Sequence, residues 1–181
     1  MPEPMPEPRP DYRPPAAGEH APYYATYTDL VRGDDLLALL AAQPAGLDRL
    51  LVTAAGRGDH RYAPDKWSVK EVLGHVADAE RVFAYRALAI ARLAEGDVPG
   101  MDQEAWMAAA DFASQTLEEL AAELRAVRAA SLSLFHGFSD LQLERRGLAS
   151  GVEFTVNALA WIVAGHWRHH WRILEERYGV L

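Results

Sequence analysis

Three imidazoles fall within five residues in Gly165-His166-Trp167-Arg168-His169-His170-Trp171, directly after the longest apolar run of the chain, Phe154 to Gly165. A helix carrying that run must bury it, and burial brings in whatever polar groups share its face. Residues four apart on a helix point the same way, about 5–6 Å apart at Cβ, so His166 and His170 form a pair suited to binding one divalent cation. His169 is rotated by about 100° from His170 and does not join them easily. A tight site needs at least a third protein ligand, with water or substrate in the remaining position.

Cysteine is absent from the 181 residues, so disulfides, thiolate ligands and a cysteine nucleophile are excluded, and any metal must be held by histidine and carboxylate. Half of the residues are hydrophobic, rich in alanine and leucine and poor in β-branched types, which favours helix over sheet. No alternating strand run of convincing length occurs. The formal charge of −8 argues against nucleic acid and anionic membrane as partners. The N-terminus lacks the basic and apolar regions of a signal peptide and Phe154 to Gly165 is too short to span a bilayer, so a cytoplasmic location is expected. Tryptophans 161, 167 and 171 read as packing and interface residues, and neither a serine-nucleophile elbow nor a phosphate-binding glycine loop is present.

Residues 1–22 carry eight of the eleven prolines and read as a proline-rich, flexible or surface-draped tail, leaving 23–181 as the folded domain. A first helix is expected from Asp34 to Ala55, kinked or divided at Pro44. Ser68-Val69-Lys70-Glu71 is a capping box, in which serine and glutamate satisfy each other's exposed amides, and it opens a second helix to about Ala94 with Gly96 as its stop. His75 lies on this helix at the margin of an apolar stripe, after Gly74, whose missing side chain permits a close contact or open space beside the imidazole.

The connection from Gly96 to Ala113 is long enough for a crossover and contains a short helix near Asp102 to Met107. A second capping box, Thr116 and Glu119, starts a third helix to about Phe135, with Glu118, Glu119, Glu123, Arg125 and Arg128 as its solvated face. A loop with a short hairpin near Ser150-Gly151 leads to a fourth helix from Thr155 to Tyr178, capped by Gly179. The fold class is all-α, a four-helix bundle with long crossover connections. Facing helices in such a bundle lie about 8–10 Å apart, so His75 can meet His166 and His170. His20 and His60, in presumed loops, and His136, near a helix end, carry no assigned chemistry.

The run from Lys66 to Glu80, W-S-x-x-E-x-x-x-H at its centre, together with the late H-x-x-x-H, resembles the signature of the DinB/YfiT-like superfamily over roughly residues 30–178. The resemblance implies a divalent metal held by His75, His166 and His170, and a homodimer. It also implies one of several activities, among them S-transfer or isomerisation dependent on bacillithiol, mycothiol or glutathione, and metal-dependent hydrolysis. Some relatives are known only as DNA-damage-inducible.

The chemistry expected is a triad of neutral imidazoles holding Zn²⁺, or alternatively Ni²⁺, Mn²⁺ or Fe²⁺, with open positions for water or a low-molecular-weight thiol cosubstrate that attacks an electrophile. Hydrolysis by metal-bound water and a non-catalytic stress-response module with a structural metal are the alternatives. Glu71, Asp78 and His169 are candidates for orienting an imidazole or moving a proton, Glu71 mainly serving its cap. Either carboxylate could instead complete a two-histidine, one-carboxylate iron site.

Overall fold

A computed structural model describes residues 10–181, and the first nine residues of the proline-rich segment lie outside it. Four helical units build the bundle. A short α1 (Ala25–Thr28) precedes α2 (Leu36–Ala42) and α3 (Gly46–Thr53), which are the first expected helix divided by a 3-10 turn at Gln43–Ala45 containing Pro44. The second unit is α4 (Val69–Ala91), opened by the Ser68–Glu71 capping box with both reciprocal hydrogen bonds formed. After α5 (Gln103–Ala109), capped by Asp102, comes the third unit α6 (Leu117–His136), opened by the Thr116–Glu119 box. A single-turn α7 (Asp140–Leu143) leads towards the fourth unit, α8 (Val156–Glu176), whose N-cap Thr155 accepts from the amide of Ala158.

The all-α expectation holds for the bundle but missed a small sheet. β1 (Asp97–Val98) pairs in parallel with β2 (Arg146–Ala149), which pairs antiparallel with β3 (Val152–Thr155). The β2–β3 hairpin turns at Ser150-Gly151, both with positive φ as a two-residue hairpin loop requires. Such short strands carry no periodicity, and what joins them is the meeting of the two long connections.

That meeting follows from helix direction. Lys70 reaches the carbonyl of Ala113 near the start of α6, Arg81 pairs with Glu123, and Leu88 shares a groove with Leu134, so contacts advance together along α4 and α6. The two helices are therefore parallel neighbours. A 23-residue helix is about 35 Å long, and the chain must retrace that length before α6 can begin. In contrast, α8 runs against α4: Tyr178 near its end donates to the carbonyl of Trp67, while Tyr27, His75 and His166 meet at mid-length.

The apolar core is divided in two. One cluster holds Phe83, Phe135, Phe154 and Trp161, the other Leu50, Leu73, Leu124 and Trp167. The division falls between Ala77 and Ala79 on α4 and between Ala164 and Trp167 on α8. A polar layer occupies it, made of the histidines and of a buried ion pair in which Arg128 Nε and Nη2 each donate to the Glu80 carboxylate at 2.8 Å.

Arg128 therefore corrects the reading of its charge run as a solvated face. It is 1% exposed, donates Nη1 to the Leu40 carbonyl and Gln43 side chain, and lies over the Trp167 ring at 4.4 Å.

The segment from Pro10 to Ala21 packs on the bundle. Buried Glu19 accepts from Arg13, the amide of Ala16, Thr155 Oγ1 and Asn157 Nδ2, while its own carbonyl accepts from the Thr155 amide. Burial pushes the Glu19 carboxyl up, but these donors together outweigh it and hold its pKa below the ordinary value. Tyr12 packs edge-on against Phe135 and donates to its carbonyl.

Removing one member of a buried ion pair leaves an uncompensated charge. Glu80→Ala is expected to cost about 3–5 kcal/mol in urea denaturation, and Glu80→Leu combined with Arg128→Met to recover most of that loss. A double variant no better than Glu80→Ala would show that the pair is not the source of the cost.

Candidate metal centre

His75 is delivered by the fixed start of α4, two turns after the capping box, and His166 and His170 by consecutive turns of α8. Two glycines allow the surroundings to close. A methyl group at Gly165 would run into the Tyr27 carbonyl, so α1 can lie directly on α8, with the Tyr27 ring edge-on to His166 and His169. A methyl group at Gly74 would run into the Phe112 ring, which comes from the α4–α6 connection and packs directly on α4 there. Trp67 covers His75 from the other side at 4.7 Å between centroids.

The three expected ligands converge. His166 Nε2 stands 3.1 Å from His75 Nε2 and 3.1 Å from His170 Nε2, and one ring nitrogen from each residue lies within 4.8 Å of the other two. His75 and His166 are buried, and His170 is 9% exposed. Burial drives the pKa of His75 down to about 4, with His169 adding repulsion. Burial also takes His166 and His170 well below the ordinary 6.5, with the neighbouring imidazoles contributing in both cases. All three are neutral at pH 7.

Neutral imidazoles cannot satisfy this arrangement by themselves. A ring nitrogen either donates one hydrogen or offers one lone pair, so His166 Nε2 cannot make full hydrogen bonds to both neighbours. His75 Nδ1 is also buried without a partner. A divalent cation accepts three lone pairs at once, and Zn–N distances of about 2.0–2.1 Å place tetrahedral ligands about 3.3 Å apart, close to the 3.1 Å from His166 Nε2 to each of its neighbours. The donor set fits an ion of the zinc, nickel or iron type, for which imidazole is a suitable ligand.

Glu71 and Asp78 make no hydrogen bond to the triad. Glu71 accepts from the Ser68 amide and pairs with Arg61, while Asp78 faces Arg81. His169 stands edge-on to His170 and Tyr27, half-buried and outside the convergent set. Neither carboxylate is therefore placed to complete a two-histidine, one-carboxylate iron site. Cavities reach the cluster on two sides. One of about 290 Å³ is lined by His75, His166, Tyr27, Phe83 and Arg86; the other, about 300 Å³, by His170, Trp67, Lys66 and Tyr178.

The DinB superfamily profile matches residues 39–174, three-quarters of the sequence. The chain belongs to the DinB superfamily. Among solved structures, this DinB chain resembles YfiT from Bacillus subtilis, described as a probable metal-dependent hydrolase with an unusual four-helix bundle topology. The TM-score is 0.69 at 20% identity, covering 82% of this chain and 88% of that one. At that identity the likeness carries the fold. No curated protein matches the sequence.

Arg86, Ser150 and Tyr27 line the cavity at the histidines without having been singled out from sequence. The smallness of Gly165, beside His166, was the available signal for Tyr27.

Metal analysis of the purified protein beside His75→Ala and His166→Ala should show each variant binding at least about 100-fold more weakly, beyond the 10–100-fold typical of losing an outer partner. Equal, stoichiometric retention in both would exclude the triad as the site. The depressed imidazole pKa values also set an acid response. Between about 4 and 6.5 the unfolded chain binds more protons than the folded one, so the metal-free protein loses stability as pH falls through that window. Thermal unfolding at stepped pH should show a shallower slope for His166→Phe, and an unchanged slope would assign the loss to other groups.

Proposed function

We propose that this protein is a divalent-metal-dependent enzyme whose ion is held by His75, His166 and His170, and that it transfers a low-molecular-weight thiol to an electrophile. The observation that carries the reading is the convergence of three neutral ring nitrogens at a point reached by two separate cavities, which suits two co-substrates. A divalent ion supplies Lewis acidity that lowers the pKa of a thiol or water bound to it.

The chain's own residues hold the conditions for that chemistry. Their depressed pKa values keep the three imidazoles unprotonated and available as ligands. Trp67, Phe83 and Tyr27 limit the access of water to the rings. The Tyr27 phenol, its pKa pushed up by burial, is hydrogen bonded to the Tyr23 hydroxyl on the cavity wall. With no cysteine in the chain, the thiol must come from a small molecule.

Hydrolysis is the second reading, favoured by the description of YfiT as a probable metal-dependent hydrolase. The two separate in one assay series. Metal-loaded protein is offered a chromogenic electrophile with bacillithiol, mycothiol or glutathione, and without thiol. Turnover that requires both metal and thiol, and falls at least about 100-fold in His75→Ala, is the expected result. Metal-dependent turnover of ester substrates without thiol would replace transfer by hydrolysis, and full metal occupancy without turnover in either arm would favour a structural ion.

A further inference from the structure

Two arginines on the long helices are almost fully buried, and they are used very differently. Arg128 makes four hydrogen bonds, two of them from its Nε and Nη2 edge to the carboxylate of Glu80. Arg86, 4% exposed, makes one: Nη2 donates to Ser150 Oγ at 2.8 Å. Its Nε is buried without a partner, and it forms no ion pair among the described residues. A buried guanidinium without an anion is expensive, and the Phe83 ring, whose centre lies 5.7 Å from the Arg86 guanidinium carbon, replaces only part of the lost hydration.

The residue that holds Arg86 is itself costly. Ser150 is a non-glycine residue with φ of 54° at the tip of the β2–β3 hairpin, and its amide is fixed by the Val98 carbonyl of β1. Gly100 passes so close that a side chain there would strike Ser150 Oγ. The sheet made by the two long connections thus presents one hydroxyl to one guanidinium. Backbone strain maintained by several surrounding contacts is common where a group must be positioned for use. Arg86 and Ser150 line the same cavity of about 290 Å³ as His75 and His166, and Tyr23, Tyr24 and Phe83 give it an aromatic wall.

We propose that Arg86, positioned by Ser150, is the anion-binding end of this cavity and takes the carboxylate of a small substrate with an apolar or unsaturated body. The body lies along the tyrosines and Phe83, and the far end of the molecule points towards His75 and His166. The planar fork of arginine matches a carboxylate in two parallel hydrogen bonds, and because Arg86 Nε is closed off, the edge left for a ligand is that of Nη1 and Nη2. This assigns a substrate class to the cavity of the proposed enzyme and rests on that reading for the role of the histidines, although the anion site itself needs no metal.

The test is calorimetric titration of the purified full chain with benzoate, benzamide and inorganic phosphate, repeated on Arg86→Met, Arg86→Lys and His75→Ala, with metal content measured on each sample. Benzoate should bind at least about 10-fold more tightly than benzamide or phosphate, and lose about 10- to 100-fold in Arg86→Met, the worth of charge-assisted hydrogen bonds. Arg86→Lys should keep only a minor part of the affinity. Ligand-free Arg86→Met should melt at the same or a higher temperature, because an unpaired buried charge has been removed. Benzoate binding unchanged in Arg86→Met overturns the proposal, as does an Arg86→Met variant that is destabilised or fails to fold, since the arginine would then be structural. Phosphate bound more tightly than benzoate overturns the carboxylate assignment. Binding lost in His75→Ala but kept in Arg86→Met would put the carboxylate on the histidines, whereas failure of the metal reading appears separately, as absent metal with Arg86-dependent benzoate binding intact.

Discussion

Three neutral imidazoles face one another across the α4–α8 contact, and His166 Nε2 cannot hydrogen bond fully to both of its neighbours. The rest of the interior is arranged around that condition. Apolar packing stops on either side of it, so the core is two clusters instead of one. The polar layer between them is completed by Glu80 and Arg128, which tie α4 to α6 and, through Gln43 and the Leu40 carbonyl, to the first helical unit. A buried ion pair of this kind adds little net stability against an apolar replacement, but it fixes which helices meet at the level of the histidines. The cluster is costly as bare protein and inexpensive once a cation takes the lone pairs, which links metal binding to folding.

The connections shape the site as much as the bundle does. Because α4 and α6 are parallel, the connection between them has to return along the bundle, whereas α6 and α8 are antiparallel and are joined at one end. The first connection contributes Phe112 against Gly74; the second contributes Ser150 against Arg86. The N-terminal segment, clipped to the start of α8 through Glu19, leads into α1 and so sets Tyr27 over His166. A simple up-and-down bundle with tight turns would expose the same histidines without this enclosure.

Much of the local structure was legible because its causes are local. Capping boxes at Ser68 and Thr116 fix helix starts through contacts three residues apart, Pro44 divides a helix by lacking an amide proton, and the i,i+4 spacing of His166 and His170 is a property of one helix. His75 could be added because a bundle brings helices within reach. What could not be read are choices made between distant segments. Arg128 sits among glutamates and arginines that do face solvent, and only its distance to Glu80, 48 residues earlier, makes it a core residue. The three-stranded sheet joins Asp97 to Leu148 through strands too short to show alternation. Arg86 looks like any helix-surface arginine until the hairpin tip closes over it.

The central claim is that one divalent ion occupies the point where the three ring nitrogens converge. Anomalous diffraction collected at the absorption edges of zinc, nickel, iron and manganese, on crystals of protein purified without chelator, tests it directly. The account predicts a single strong peak about 2.0–2.2 Å from the Nε2 atoms of His75, His166 and His170 together. No peak at that position, with the three imidazoles joined by water or by shared protons in well-ordered density, would contradict it.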